Sequence, residues 1–378
     1  MGMMSIKKRI GTHDGCFHCD EVLAVAILKH LPEFEEADVV RSRDPNILST
    51  CDVVVDVGGV YDPKTFRFDH HQKGFVLSWS KYFGVKIWDV KFSSAGLVYV
   101  HFGKKVLSLL TGLEMESDTL DRIFTKVYES FILEIDAQDN GIVQSNMAMK
   151  YNISTGLYSR VRRLNPWWNK VDDSEIAFHK ALDLVDREFL DTVHYFTHCW
   201  WPARYVVIEA MGCREDVDPS RHIIVLETSC PWKSHLYDLE REERMETPVY
   251  PEPLRQGNYR PMPKFPPQIL FVVHPSDGNW VVQGVPKEKF EVRLPFPSDW
   301  RSLTNDQLCC ITGIPGCVFV HSSGHLGCNT TREGAIKMAR AVIDESKNED
   351  ENLSRYPLTP PKFNRGRGRK SNVHSRNF

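Results

Sequence analysis

Apolar and polar positions in the first sixty residues alternate between two rhythms. Residues 7–12 form a short strand-like run that ends in a loop containing Gly15. From Asp20 the pattern turns helical: Glu21-Val22-Leu23-Ala24-Val25-Ala26-Ile27-Leu28-Lys29-His30 joins good helix formers and stops at Pro32. Asp38-Val39-Val40 and Cys51-Asp52-Val53-Val54-Val55-Asp56-Val57 predict two strands, the second an almost unbroken apolar run of the kind buried in a parallel sheet. Strand, helix, strand, turn, strand opens an α/β sheet. Helical periodicity follows over 93–110, over 117–137 and, longer and more polar, over 174–196.

Beyond Arg204 the pattern changes to short β-rich runs at 205–208, 223–227, 269–273, 280–285 and 317–321. The last leads through Gly324 and Gly327 into a helix over 331–344. Seven prolines in 248–267 mark a loop insert, and residues 346–378 are charged, then Pro-rich, then Arg/Gly-rich, which predicts a disordered basic tail. The expected organisation is an α/β domain over 1–204, with a mainly parallel sheet flanked by helices. A smaller α+β domain follows over 205–345 and would hold substrate.

Length and composition agree with that picture. A chain of 378 residues suffices for two cores, and 42% hydrophobic with 26% charged residues describes a water-soluble globular protein. No apolar run approaches a membrane span, so no membrane partner is expected. The amino terminus has basic residues but no apolar core of a signal peptide, and the ten scattered cysteines read as reduced thiols; both point to an intracellular protein of nucleus or cytoplasm. The net charge of −3 hides an asymmetry. Residues 362–378 hold six Lys/Arg and no acid, leaving 41 basic against 50 acidic residues in the rest. An acidic body with a basic tail suggests an anionic polymer as partner.

The candidate chemistry is an ordered series: His13, His18 and Asp20, then Asp56, then Asp69-His70-His71, then Asp139. Asp56 ends the buried strand, where a charge is costly unless paired or metal-bound, and Gly58-Gly59 let backbone approach a ligand. Asp20 alone is equally well a helix-start acid. Taken together, the set matches what two neighbouring divalent ions need to activate water and clamp a phosphoryl group. Lys73, two residues past His71, is placed for a phosphate contact. Thr330-x-x-Glu333 is a capping-box pattern, and the free amides of that turn (Thr331 onward) with Arg332 offer a second phosphate site, although simple capping explains them equally well. Cys16-x-x-Cys19 lacks a second pair and overlaps the His/Asp series, which argues against redox chemistry. Trp167-Trp168 and Trp200-Trp201, beside prolines, read as core or interface filler before base-stacking groups, and Arg160, Arg162 and Arg163 as a solvated or nucleic-acid-facing cluster.

His-x4-His-x-Asp, a strand-terminal Asp, Asp-His-His, and Asp-Asn-Gly after a helix resemble the motif series of the DHH phosphoesterases. More closely, residues 11–21, Val54-Val55-Asp56-Val57-Gly58-Gly59, Tyr61-Asp62-Pro63, Asp69-His70-His71-Gln72 and Asp136-Ala137-Gln138-Asp139-Asn140-Gly141 resemble the Myg (melanocyte proliferation) family. The likeness continues through Ile314-Pro315-Gly316-Cys317 and Thr331-Arg332-Glu333-Gly334-Ala335, covering about residues 10–345. It implies a DHH-type fold and a metal-dependent 3′–5′ exonuclease on single-stranded RNA, in nucleus or mitochondrion, with two Mn2+. Nitrogen ligands leave Mg2+, Zn2+, Co2+ and Fe2+ open. By the same resemblance His13 and His18 hold one ion, Asp20, His70 and Asp139 the other, and Asp56 bridges, with His71 on the phosphate or leaving group. Asp136 is the fallback for Asp139. Gly327-Cys328-Asn329 stands where the family tends to carry Gly-Gly-His. The same chemistry would serve a small substrate such as pyrophosphate, polyphosphate or a dinucleotide, and a degenerate site would leave a non-catalytic RNA-binding protein.

Overall fold

A computed structural model of the protein describes residues 7–170, 173–246, 268–288 and 291–355. The chain divides after Tyr205 into two compact units. The Pro-rich insert over 248–267 and the tail from 356 onward lie outside the described residues.

The first unit is built on a five-stranded sheet in the order β2-β1-β3-β5-β4. β1 (Arg9–Thr12), β2 (Asp38–Arg41), β3 (Val53–Val55) and β5 (Arg67–Phe68) run parallel, and β4 (Tyr61–Asp62) pairs antiparallel with β5. Ile10 faces Val53 and Val55 faces Phe68 in register. The two-residue strands β4 and β5 carry too little pattern to be read from sequence. α1 (Cys19–Lys29) is buried from Cys19 to Leu28, which explains why it is apolar around its whole circumference. It packs on α4 (Ser94–Val98) and α9 (Ser174–Tyr195).

The remaining helices of this unit are α2 (Pro45–Leu48), α3 (Trp79–Phe83), α5 (Lys104–Thr111), α6 (Asp118–Val127), α7 (Leu133–Asp139) and α8 (Leu157–Arg162). The periodic stretches 93–110 and 117–137 are thus each one helical path, widened by a π-turn at Tyr99–Gly103 and at Tyr128–Ile132. Trp200 is buried, as filler should be, whereas Trp167 and Trp168 are exposed.

In the second unit the run at 205–208 is not a strand. It belongs to α10 (Trp201–Gly212), because Ala203, Val207, Ala210 and Met211 are buried at helical spacing, and tertiary packing overrides the β preference of Val206-Val207-Ile208. After α11 (Arg214–Val217), β6 (Ile223–Val225) and α12 (Lys233–Glu246) come the sheet strands β7 (Phe271–Ser276) and β8 (Asn279–Gly284). The short pair β9 (Pro286–Glu288) and β10 (Glu291–Val292) follows, then α13 (Asn305–Thr312), β11 (Cys317–Val320) and β12 (Leu326–Asn329). The sheet order is β11-β12-β8-β7-β6, antiparallel except for β6 on β7. The last helix, α14 (Arg332–Arg355), runs past the expected end at 344 into residues assigned to a disordered tail, through a charged stretch of good helix formers. No helix among the described residues is long and apolar enough to cross a membrane.

Candidate metal centre

Three adjacent parallel strands end at the same edge of the first sheet, and each delivers a polar residue there. His13 follows β1, Asp56 follows β3, and Asp69-His70-His71 follow β5. Ligand chemistry in open α/β sheets gathers at such carboxyl ends. The amino end of α1 adds Asp20 and Glu21, and the carboxyl end of α7 adds Asp139. Asp56 sits at φ 57°, a left-handed conformation that costs an L-residue about 1–2 kcal/mol. Its N–H donates to the Phe68 carbonyl at 3.1 Å, and its Oδ1 accepts from Ser94 Oγ at 3.0 Å. The sharp turn continues through Gly58 and Gly59, both at positive φ, and Gly59 N–H donates to Asp69 Oδ2 at 2.6 Å.

The donor atoms fall into three overlapping groups, each within 4.8 Å of one another: His13, His18, Glu21 and Asp56; Asp56, His70 and His71; Asp20, His70 and Asp139. His13 Nε2 lies 3.1 Å from Glu21 Oε1 and 3.5 Å from Asp56 Oδ2. His70 Nε2 lies 3.3 Å from Asp56 Oδ1 and 3.1 Å from Asp139 Oδ2. Asp56 and His70 therefore each belong to two groups. Part of the set, with Arg43 and Gly58-Gly59, lines a cavity of about 320 Å³.

Several of these buried atoms lack the partners that burial demands. Asp20 is fully buried, yet neither oxygen makes a hydrogen bond of ordinary geometry; the Ser94 backbone N–H only leans toward it. Glu21 Oε2 and His70 Nδ1 likewise lack a hydrogen-bond partner among the described residues, and His70 Nε2 makes no hydrogen bond of ordinary geometry although it stands within ion-pair distance of Asp56 and Asp139. A native protein rarely leaves such groups orphaned without an ion or water to satisfy them. Electrostatics tell the same story. Burial, with Asp56 and Asp139 nearby, pushes the Asp20 carboxyl well above its ordinary range. Burial also raises Asp139, against the pull of His70. For His13 burial opposes the charged imidazole, but hydrogen bonds to Asp56 and Glu21 outweigh it and lift the group to about 10. Asp56 is held below the usual carboxylate range because His13 and His70 overcome the cost of its burial. A mixed set of carboxylates and imidazoles whose charges are unbalanced without a cation fits divalent metal ions.

The structure gathers His13, His18, Asp20, Asp56, His70, His71 and Asp139 around this centre. His71 is exposed, and its Nδ1 and backbone N–H both donate to Asp69 Oδ1, at 2.8 and 3.0 Å. Asp69 thus orients a neighbour and the Gly59 turn, and joins none of the three groups. Asp136 stands apart: its carboxylate accepts from Ser93 N–H and Oγ, Gly96 N–H and the Tyr128 hydroxyl. Lys73 is exposed outside the cavity lining. Thr331 and Arg332 belong to the second unit, where Thr331 is tied to Asn329 Oδ1 and Arg332 reaches Glu227 at 3.4 Å.

Sequence reasoning missed Glu21, Ser94 and Arg43. In the sequence Glu21 reads as one more helix former; its signal is an acid on a helix with no solvent-facing side. Arg43 Nε meets Asp14 at 3.1 Å on the cavity rim, and nothing in its local pattern marks it.

Comparison with known proteins accounts for nearly the whole chain. The family profile MYG1_exonuc, described as an uncharacterised protein family (UPF0160), matches residues 9–343. The chain is 47% identical to MYG1 exonuclease of Homo sapiens over 341 residues, covering 89% of this chain and 85% of the human protein. It is likewise 47% identical to MYG1 exonuclease of Mus musculus, covering 89% of this chain and 84% of that protein. Identity to the MYG1 protein of Dictyostelium discoideum is 37%, over 89% of this chain and 97% of that protein. The chain belongs to the MYG1 exonuclease family.

Proposed function

We propose that the protein is a metal-dependent 3′–5′ exoribonuclease whose phosphodiester hydrolysis takes place at the strand-end centre of the first unit. The observation that carries the reading is the fully buried, unpartnered Asp20 beside His70 and Asp139, with Asp56 shared between neighbouring donor groups. Two ions, Mn2+ by preference, would be held by His13, His18 and Asp56 on one side and by Asp56, His70, Asp20 and Asp139 on the other, with Glu21 added to the first set. Bound there, divalent cations supply Lewis acidity toward phosphoryl oxygens and acidify water. The chain's own residues do the rest. Asp56, locked by Ser94 and the strained turn, fixes the spacing of both sides. The Gly58-Gly59 backbone leaves room for a phosphate to approach. His71, fixed through Nδ1 by Asp69, keeps Nε2 free toward the phosphate, where its protonated form would donate to a phosphate oxygen or the departing 3′-oxygen. The expected partner is single-stranded RNA, and the expected setting the nucleus, cytoplasm or mitochondrion.

The test uses metal-stripped protein with manganese, magnesium or zinc restored, given 5′-labelled single-stranded RNA, the same RNA with a blocked 3′ end, a dinucleotide and pyrophosphate. A manganese-dependent ladder that the 3′ block removes is the expected result. Cleavage of pyrophosphate or dinucleotide alone would keep the metal centre and discard the RNA reading, and inactivity on all four would leave an RNA-binding protein.

A further inference from the structure

Two tryptophans stand in solvent on the segment between α8 and α9. Trp167 is 57% exposed and Trp168 97% exposed. Burying an aromatic body is strongly favourable, so two adjacent rings left in water point to an interaction made with something else. The charges around them say what kind. Trp167 lines an open cleft together with Arg162, Arg163 and Asn165. The exposed Arg162 has no acidic partner among the described residues. Arg163 spends one N–H on the Ser154 carbonyl at 2.6 Å, not on an acid. Lys170 Nζ sits 4.2 Å from the centre of the Trp167 ring. Arg160, the remaining cation, is neutralised by Glu188 and plays no part. Flat aromatic faces among unneutralised cations are the recognition chemistry of a single-stranded nucleic acid, whose bases stack while its phosphates are paired.

The same segment is fastened to the metal centre. Asn165 Oδ1 accepts from the Phe17 N–H at 2.9 Å, and Asn165 Nδ2 donates to the Phe17 carbonyl at 2.8 Å. Phe17 immediately precedes His18, which lines the site cavity. Trp167 follows Asn165 by two residues, a reach of about 7 Å at most. A strand with its terminal phosphate at the centre meets the first ring within a few nucleotides.

We propose that Trp167 and Trp168, flanked by Arg162 and Arg163, form a base-stacking platform that grips single-stranded RNA as its 3′ end enters the metal centre. The proposal rests on the exoribonuclease reading and adds where the substrate is held. Its test takes the full chain, stripped of metal with EDTA, and titrates it into a fluorescent oligouridylate of about twelve nucleotides, a length within the range of known stacking sites. Changing Trp167→Ala or Trp168→Ala is expected to weaken binding about tenfold each, and Trp168→Phe to restore most of the loss. With manganese present the alanine variants should raise KM on the oligonucleotide and leave both kcat and dinucleotide cleavage unchanged. Unaltered affinity in the double alanine variant, with its melting temperature intact, overturns the platform. So does unaltered affinity with a changed sedimentation coefficient, which would assign the rings to a protein contact. Wild-type protein that binds through these residues but cleaves nothing keeps the platform and removes the exonuclease reading.

Discussion

Replacing Asp20 by asparagine should make the metal-free protein more stable and shrink the further stabilisation that manganese gives. Asp20 is fully buried without a proper hydrogen bond, and burial with the charges of Asp56 and Asp139 raises its pKa well above the ordinary value. Burial thus disfavours the ionised carboxyl in the folded, metal-free state, while the unfolded chain ionises it at about pH 3.9. Stability from this group is full below that pH and falls as pH rises toward the folded-state pKa. At about 1.4 kcal/mol per pH unit, the roughly three units between 3.9 and 7 set a ceiling of about 4 kcal/mol at neutral pH. Asparagine keeps the shape and never pays that protonation cost. In a unit of this size 1 kcal/mol moves the melting temperature by about 2–4 °C, so a rise of up to about 8–16 °C is available at pH 7 in EDTA, shrinking toward zero near pH 4. With manganese at a hundred times its dissociation constant, the wild type should gain about 2.7 kcal/mol and the variant far less, having lost a charged ligand. Thermal denaturation followed by circular dichroism, at both pH values and with or without manganese, reads all four cases. An Asp20→Asn protein that melts below wild type in EDTA at pH 7, or that keeps the full manganese shift, refutes the reasoning.

Asp56→Asn should abolish turnover, by about a hundredfold or more, with an unchanged far-ultraviolet spectrum, because asparagine tolerates the left-handed backbone at φ 57°; full activity would sink the shared-ligand role. Asp136→Ala strands four donors from Ser93, Gly96 and Tyr128 in a buried site and should cost about 3 kcal/mol or more, read from the urea midpoint. A loss under about 1 kcal/mol would show the network to be replaceable. Asp69→Asn should lower kcat roughly tenfold to a hundredfold while manganese affinity holds, since Asp69 orients His71 and joins no donor group. A parallel loss of metal affinity would place it among the ligands instead.

Legibility in the sequence followed how locally each feature is determined. The strand of Val53-Val54-Val55 was visible because a strand buried on both faces must be apolar throughout, and its terminal Asp56 was conspicuous for breaking that run. β4 and β5 were not, since two-residue strands exist only through their pairing, here Tyr61 with Phe68 and Asp62 with Arg67. The run at 205–208 misled for the opposite reason: its β-branched composition is local, whereas the burial of Val207, Ala210 and Met211 that makes it helical is tertiary. Asp136 and Asp139 are alike in sequence and differ only in what surrounds them, since four hydrogen-bond donors converge on the first and none of them on the second.

Glu21 shows where pattern reading stops. In sequence it is an ordinary first-turn acid, favoured by the helix dipole and by its bond to the His18 N–H at 2.7 Å, and both explanations are sufficient. What they leave unexplained appears only in three dimensions. One oxygen already serves the helix and His13, and the second is buried with nothing to accept. A helix start needs one acceptor there, not two. Since desolvating a carboxylate oxygen without a partner is costly, and a glutamine would make the same bond to the His18 N–H without a buried charge, the surplus acceptor is best explained by a cation shared with His13, His18 and Asp56. That argument makes Glu21 a candidate ligand on the same footing as Asp20, because in both residues the unpartnered oxygen, and not the residue type or its place in a motif, is the physical sign.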